Sequence, residues 1–202
     1  MNKEDSKLKT LNYYDESCAS YVSDTQDLEF SDIQDRFLKY LDKGSLILDF
    51  GCGSGRDSRY FLSKGYQVEA IDGSKEMVRI ASGISGLKVR QMLFEELDDV
   101  ERYDGIFACA SILHVPYAEL PDILSRMKRA TKTGGIIYVS FKYGAFEGER
   151  NGRFFTDMNE ERMNVLLNEV QGLAVLEEFI SADARPGREK EKWLNLYLQK
   201  VE

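Results

Sequence analysis

The sequence predicts a three-layer α/β fold, in which a mostly parallel sheet of seven strands lies between two layers of helices. From residue 45 onward, short apolar strand-like runs alternate with helical segments, which is typical of parallel strands joined by right-handed crossovers. The last two runs, "LAVLEEFIS" and "WLNLYLQKV", are joined by a short link without a helix, so these strands must be antiparallel. We therefore expect a Rossmann-like sheet whose last strand is reversed.

The chain before this sheet is predicted to form an N-terminal helical cap. Residues 5–42 are expected to be helical, with Ile33 and Phe37 at four-residue spacing along one face and Leu41 one further turn away. We assign the cap to residues 1–44 and the α/β core to residues 45–202. Because 202 residues with 43% hydrophobic content suit one domain, we expect a single domain.

The elements of the core follow one another in a regular order. The predicted strands cover residues 45–50, 66–72, 87–93, 103–110, 134–141, 173–181 and 193–201. The predicted helices follow the first strand up to Lys64 and then cover residues 74–82, 118–131 and 159–170. The polar stretch "KYGAFEGERNGR", residues 142–153, is predicted to be the only extended loop, and loops of this length are usually functional or mobile.

Composition narrows the classes of function. A net charge of −8 argues against a general nucleic-acid surface, so we do not expect nucleic acid as a partner. Cys18, Cys52 and Cys109 form no CxxC pair, and the sequence indicates neither a disulfide framework nor a metal site. The apolar runs are too short to span a membrane, and the start "MNKEDSKLKT" has no signal-like segment. We therefore expect a cytoplasmic protein without membrane contact.

The segment "LILDFGCGSGRDSRYF", residues 46–61, indicates a ligand site. The first strand ends at Asp49, and Gly51, Gly53 and Gly55 allow a tight turn in which a ligand lies against bare backbone. The next helix points its positive N-terminus at the same place. Ligands of open parallel sheets bind at the carboxyl ends of the strands, where this turn lies. The alternative is a tight turn that binds no ligand.

The spacing of the glycines disfavours a dinucleotide as the ligand. The dinucleotide fingerprint GxGxxG requires glycine or alanine where this sequence has Arg56 or Ser58. Asp72 ends the second strand, at a position where a carboxylate accepts both hydroxyls of a ribose. Asp49, ahead of the glycines, would repel a phosphate and attract the ammonium group of an amino acid.

On these residues the sequence resembles the class I S-adenosylmethionine-dependent methyltransferases, over nearly the whole chain. It looks closest to a bacterial branch near the type 11 and tellurite-resistance-like members, in which "GCGSGRDS", "KGYQVEAIDGS", "CASILHVP", "SFKYG", "GRFFTD" and a terminal "WLN" occur in this order. The resemblance implies S-adenosyl-L-methionine as the cofactor. It assigns cofactor contacts to the cap, the glycine turn and the ends of strands two to four, namely Tyr21, Asp49, Gly51, Cys52, Gly53, Arg56, Asp72, Gly73, Met77, Leu93, Phe94, Ala108, Cys109 and Ala110.

Two parts of this assignment leave alternatives open. Leu93 stands where these enzymes often carry an aspartate that receives the adenine amino group, so either the backbone of Phe94 or the side chain of Glu95 would serve. In the cap, Tyr13, Tyr14 and Tyr21 could cover the cofactor as a lid, and we favour Tyr21 as a cofactor contact. Ordinary packing of an amphipathic helix is the alternative for these aromatic residues.

The implied chemistry requires no particular catalytic side chain. Methyl transfer from a sulfonium is an in-line displacement, so the enzyme mainly aligns the two partners and excludes water. His114, just past the fourth strand, is the one candidate for a base, because histidine exchanges protons near neutral pH. A histidine that forms structural hydrogen bonds is the alternative.

The methyl acceptor is predicted to contact loops at the same edge of the sheet. The candidate residues are His114, Lys142, Tyr143, Arg153 and Arg185. The two arginines are preferred, because their forked donors match a carboxylate or phosphate. Charges paired with acidic residues of the same loops are the alternative. The sequence thus favours a methyltransferase that acts on a small molecule, with an anionic one preferred. The alternatives are a methyltransferase that acts on nucleic acid or protein, and a non-catalytic partner protein that binds the cofactor.

Overall fold

The computed structural model describes residues 3–84 and 86–202. Its α-helices are α1 Lys3–Glu16, α2 Cys18–Thr25, α3 Ser31–Leu38, α4 Arg56–Ser63, α5 Lys75–Ala81, α6 Leu120–Ala130 and α7 Glu160–Val170. Its strands are β1 Leu46–Phe50, β2 Gln67–Asp72, β3 Lys88–Gln91, β4 Tyr103–Ala108, β5 Thr131–Lys142, β6 Glu147–Arg150, β7 Arg153–Thr156, β8 Leu173–Ala182 and β9 Lys192–Lys200. Within these residues, no helix has the length and apolar character needed to cross a membrane.

The main sheet has seven strands in the order β3-β2-β1-β4-β5-β9-β8. Neighbours among β1 to β5 pair in parallel, whereas β9 pairs antiparallel with both β5 and β8. The prediction of a mostly parallel sheet with a reversed last strand is therefore confirmed. Strand order reverses between β1 and β4, which is the position at which open sheets of this type bind ligands.

Two apolar cores lie on opposite faces of the sheet, because successive side chains of a strand point to opposite faces. On β1, Leu48 and Phe50 pack into the core that α6 and α7 cover. Ile47 packs into the other core with Phe61 of α4, and Asp49 shares this face of the strand. Phe61 is fully buried, and burying a side chain of this size contributes about 2 to 3 kcal/mol.

The N-terminal cap is formed by three helices and not by one continuous helix. α2 ends at Thr25 and α3 begins at Ser31, with non-helical backbone between them. Leu41 lies beyond the end of α3, so the predicted stripe does not continue along one helix. Phe37 of α3 still anchors the cap, because its ring lies 5.1 Å from that of Phe107 in the sheet and is fully buried.

The segment predicted as an extended loop forms regular structure instead. β5 continues to Lys142, and β6 and β7 form an antiparallel hairpin joined by Asn151 and Gly152. Both turn residues have positive φ, 52° and 77°, as a two-residue hairpin turn requires and as an Asn-Gly pair favours. The loop prediction was wrong because this pair closes a hairpin even between short polar strands.

Candidate functional site

A cavity of about 640 Å³ lies at the carboxyl ends of the parallel strands. Its wall includes Gly51 after β1, Asp72 at the end of β2 and Ala110 after β4, together with Tyr14 of α1. Most of the predicted site residues line it, namely Tyr21, Gly51, Cys52, Gly53, Arg56, Asp72, Gly73, Met77, Leu93, Phe94, Cys109, Ala110, His114, Lys142, Tyr143, Arg153 and Arg185. The topology therefore brings the predicted cofactor and acceptor residues to one cavity.

The glycine turn is fixed by the neighbouring strand. The backbone N–H groups of Gly51 and Cys52 both donate to the carbonyl of Ile71, at 2.9 Å. Gly51 has a φ of +84°, and a Cβ atom there would lie only 2.5 Å from Cβ of Ser111. Both the backbone conformation and the lack of space require glycine, which keeps the end of β1 close to the end of β4.

Asp72 connects the glycine turn to the helix after β2. Its carboxylate accepts hydrogen bonds from the backbone N–H of Gly53 at 2.8 Å and of Ser74 at 2.9 Å. Burial raises the pKa of Asp72 to about 6, although these two hydrogen bonds act in the opposite direction. A carboxylate has about four lone-pair positions, so about two remain for hydroxyl groups of a ligand in the cavity.

An apolar wall continues from Asp72 toward the end of β3. Met77, Leu93 and Phe94 line it, and the Phe94 ring stacks on Phe50 with 4.7 Å between ring centroids. Such a wall suits one face of a planar base. Glu95, one of the two alternatives for an adenine amino group, forms an ion pair with Lys7 of α1.

Asp49 and Ala108 do not line the cavity, in contrast to the expectation that both contact the cofactor. The Asp49 carboxylate accepts hydrogen bonds from Ser58, from its backbone N–H at 3.0 Å and from its hydroxyl at 2.6 Å. Burial, together with the nearby carboxylate of Asp57, raises the pKa of Asp49. The side chain lies on the strand face toward α4 and there caps the first turn of that helix, while Ala108 is fully buried.

Arg56 and the tyrosine of α2 lie beside the glycine turn. Arg56 donates twice to the carboxylate of Asp57, at 3.1 and 2.8 Å, and its guanidinium stacks on Phe30 at 4.4 Å. Tyr21 lies 3.8 Å from the Cβ position of Gly53 and lines the cavity, and its contact with the cofactor stays a prediction. This part of the wall is held together by contacts within the protein.

His114 is held by two hydrogen bonds within the protein. Its Nδ1 lies 2.6 Å from the carbonyl oxygen of Phe154, and its Nε2 lies 2.8 Å from the hydroxyl of Tyr14. Because a carbonyl can only accept, Nδ1 carries the proton, and Nε2 accepts from Tyr14 when the ring is neutral. Burial lowers the pKa of His114 to about 3, so the ring is neutral at physiological pH. Both nitrogens are engaged, which favours the alternative of a structural hydrogen-bonding histidine.

Arg153 lines the cavity and contacts several aromatic rings. Its guanidinium carbon is 4.3 Å from the ring centre of Tyr13 and 5.1 Å from that of Phe155. Nη1 donates to the hydroxyl of Tyr14 at 3.2 Å. Among the atoms of the described residues, its buried Nε has no hydrogen-bond partner.

The other predicted acceptor residues are already paired within the protein. Arg185 binds both carboxylate oxygens of Asp183, at 2.8 and 2.5 Å. Lys142 forms an ion pair with Glu191 and lies 3.7 Å from Asp183. Tyr143, which is partly exposed, donates to Glu160 at 3.0 Å. The contacts of Arg185 and Lys142 therefore favour the alternative in which these charges pair with acidic residues of the protein.

Two residues of the wall were not among the predicted contacts. Tyr14 was considered only as a lid over the cofactor, but it contacts His114 and Arg153. Ser111 lies beside Gly51, and its buried hydroxyl has no partner within the described residues. Its position directly after Ala110, at the end of β4, is the signal by which the sequence could have indicated it.

Comparison with known proteins agrees with this fold. Residues 47–135 match the family model of a methyltransferase domain. Malonyl-[acyl-carrier protein] O-methyltransferase of Pectobacterium atrosepticum is 33% identical over 96 residues, which are 46% of this chain and 37% of that protein. Ubiquinone biosynthesis O-methyltransferase of Rickettsia prowazekii is 32% identical over 99 residues, 46% of this chain and 38% of that protein. The matches thus span less than half the length of these curated relatives.

A solved structure resembles nearly the whole chain. The 1,6-didemethyltoxoflavin-N1-methyltransferase of Burkholderia thailandensis, with bound 1,6-didemethyltoxoflavin and S-adenosylhomocysteine, has a TM-score of 0.81 at 17% identity, covering 100% of this chain and 92% of that one. This likeness shows the same fold. Residues 47–135 thus match a methyltransferase domain, the chain as a whole has the fold of this structure, and S-adenosylmethionine is the indicated cofactor. The tellurite-resistance-like branch stays a prediction.

Proposed function

We propose that this protein transfers a methyl group from S-adenosylmethionine to a small molecule that carries a carboxylate or a phosphate. The single observation that supports the acceptor's charge is the state of Arg153. Five arginines line the cavity, and Arg56, Arg150, Arg185 and Arg188 each pair with a carboxylate. Within the described residues, Arg153 forms no such pair, so its charge is available to a ligand.

The residues of the cavity fit the cofactor. Asp72 would accept the ribose hydroxyls with its remaining lone pairs, and Met77, Leu93 and Phe94 would hold the adenine. The turn at Gly51 and Gly53 would hold the methionine portion against its backbone. When bound there, the cofactor supplies the activated methyl group of a sulfonium. The cap residues that close the cavity would exclude water, which strengthens the electrostatic interactions inside it.

Arg153 would bind the acidic group of the acceptor through its forked donors. Its position between Tyr13 and Phe155 favours this role, because an ion pair is stronger in surroundings of low polarity than in water. The acceptor would be aligned for in-line attack by this contact. His114 would not act as the base, since its two ring nitrogens are engaged and its pKa is about 3.

The experiment is an incubation with methyl-labelled S-adenosylmethionine and a fractionated cell extract. We expect label in a small-molecule fraction that an anion exchanger retains. Arg153→Ala should reduce this labelling at least tenfold, while calorimetry should still detect binding of S-adenosylhomocysteine, because the guanidinium is expected to contact the second substrate and not the cofactor.

Arg150→Ala is the matched control, because Arg150 also lines the cavity but already pairs with Asp157 at 2.8 Å. It should retain most of the labelling activity. Label in protein or nucleic acid, or equal loss of activity in both variants, would contradict an anionic small-molecule acceptor bound by Arg153.

A further inference from the structure

We propose that α1 is a two-sided clamp that couples the cofactor site to the acceptor site, with Tyr14 and His114 as positioning residues for Arg153. The identity of the two ligands rests on the function proposed above, whereas the coupling rests on the contacts of one helix. α1 contacts the cofactor side of the cavity with one row of side chains and the acceptor side with another.

The first row faces the turn after β2. Leu11 lies so close to Gly73 that a Cβ atom on this glycine would be 2.7 Å from Cδ2 of the leucine. One turn later, the Asp15 carboxylate accepts a hydrogen bond of 2.6 Å from the hydroxyl of Ser74 and one of 3.3 Å from the backbone N–H of Glu76. These contacts hold α1 against the predicted adenosine-binding part of the cavity.

The second row faces the β6–β7 hairpin and the segment after β4. The hydroxyl of Thr10 accepts a hydrogen bond of 3.0 Å from the backbone N–H of Phe154. One turn later, the hydroxyl of Tyr14 donates to His114 at 2.8 Å and accepts from Arg153 at 3.2 Å. These contacts hold the same helix against the predicted acceptor site.

Helix geometry makes the two rows move together. Residues four apart lie on one face, so positions 11 and 15 form one row and positions 10 and 14 the neighbouring row. A rigid helix cannot leave the cofactor side and remain docked at the acceptor side. Because a helix of 14 residues is marginal by itself in water, its docked state depends on both sets of contacts.

The donors and acceptors around Tyr14 orient the side chain of Arg153. The Phe154 carbonyl can only accept, so it fixes the proton on Nδ1 of His114 and leaves Nε2 to accept from Tyr14. The hydroxyl of Tyr14 therefore donates its proton to His114 and accepts a hydrogen bond from Nη1 of Arg153. Arg153 is thus oriented only while α1 is docked. A cofactor that stabilises docking on one side would prepare the arginine on the other.

His114 is a convenient reporter, because the sequence contains a single histidine. The experiment uses the full chain labelled with ¹⁵N-histidine and follows the two ring nitrogens by NMR during titration with S-adenosylhomocysteine. In the wild type we expect the cofactor product to shift or sharpen the Nε2 signal. In Tyr14→Phe we expect no such response, and an affinity for S-adenosylhomocysteine that is weaker by roughly fivefold or more, measured by calorimetry.

Tyr13→Phe is the matched control, because it removes a neighbouring hydroxyl of the same helix and keeps the ring under Arg153. It should respond like the wild type in both measurements. Binding of S-adenosylhomocysteine without any response at His114, or an unchanged affinity in Tyr14→Phe, would overturn the clamp and leave the proposed function standing. Failure of the wild type to bind S-adenosylhomocysteine would overturn both.

Discussion

At the scale of single residues, Asp72 has a structural role and a proposed role in cofactor binding. Its carboxylate accepts hydrogen bonds from the backbone N–H groups of Gly53 and Ser74, and the residue also lines the cavity, where it would accept the ribose hydroxyls. We expect Asp72→Ala to weaken binding of S-adenosylhomocysteine by about 1.5 to 3 kcal/mol, the scale of hydrogen bonds to a charged group. The melting temperature should also fall, because two backbone donors lose their acceptor. Calorimetry and thermal unfolding measure the two effects.

The control for Asp72 is a helix-cap residue that does not line the cavity. Asn159 accepts a hydrogen bond of 2.9 Å from the backbone N–H of Arg162 and caps α7, so Asn159→Ala should cost about 1 kcal/mol of stability. Its affinity for S-adenosylhomocysteine should not change. A ribose-binding role for Asp72 would be excluded if Asp72→Ala lowered the stability of the protein but left its affinity for S-adenosylhomocysteine unchanged, as is expected for Asn159→Ala.

His114 leads to a prediction about pH. Its pKa is about 3 in the folded protein and about 6.5 in an unfolded chain, so only the unfolded chain binds a proton between these values. The stability contributed by this residue is therefore complete above pH 6.5 and is lost as the pH falls toward 3. We expect the wild type to be more stable than His114→Gln at pH 7.5 and this difference to shrink at pH 5.

Denaturant unfolding of the two proteins at both pH values checks this prediction. Asp72 has a raised pKa, which acts with the opposite sign, because its folded form takes up a proton more readily than the unfolded chain. Both proteins keep this carboxyl group, so the difference between them isolates His114. A difference in stability that is the same at pH 5 and pH 7.5 would show that His114 is not held in its neutral form.

At the scale of elements, the β6–β7 hairpin supports α1 through its turn. Gly152 has a φ of +77°, and a Cβ atom there would lie 3.3 Å from the ring of Tyr13. Gly152→Ala should therefore strain the turn, by about 1 kcal/mol, and also press on α1. We expect a lower melting temperature together with faster hydrogen exchange of the amides in α1.

Gly134 provides a matched control for this change. Its φ of +79° imposes a similar backbone strain on an alanine, but among the described residues, other than its two chain neighbours, none has an atom within 4 Å of the added Cβ position. Gly134→Ala should lower the melting temperature by a similar amount and leave hydrogen exchange in α1 unchanged. Equal exchange in α1 for the two variants would mean that the hairpin does not support this helix.

At the scale of the whole molecule, the sheet topology places every part of the site at one edge. β1, β2 and β4 end at the cavity, and the crossover helices lie on the faces of the sheet, so this edge is left to ligands. The cap and the hairpin then cover the edge from outside. They interact through residues far apart in the chain, such as Lys9 and Glu149, which form an ion pair of 3.0 Å.

The sequence by itself determined the sheet and its reversed last strand, and it predicted many of the residues that line the cavity beside the glycine turn. These features depend on neighbours in the chain: alternation of strands and helices, and glycines directly after a strand. Asp72 could be predicted because the end of β2 necessarily lies beside the end of β1 in a parallel pair.

Only the tertiary structure decided which of the candidate acceptor residues are already paired within the protein. The sequence gives no reason to distinguish Arg153 from Arg185. In the structure, Arg185 forms an ion pair with Asp183, whereas Arg153 contacts the rings of Tyr13 and Phe155. Tyr14 meets His114 across 100 residues of chain, and neither residue's neighbours in the sequence specify the contact. The physical reason is that the availability of a charge or a proton depends on partners within about 3 to 4 Å, which folding selects from distant segments.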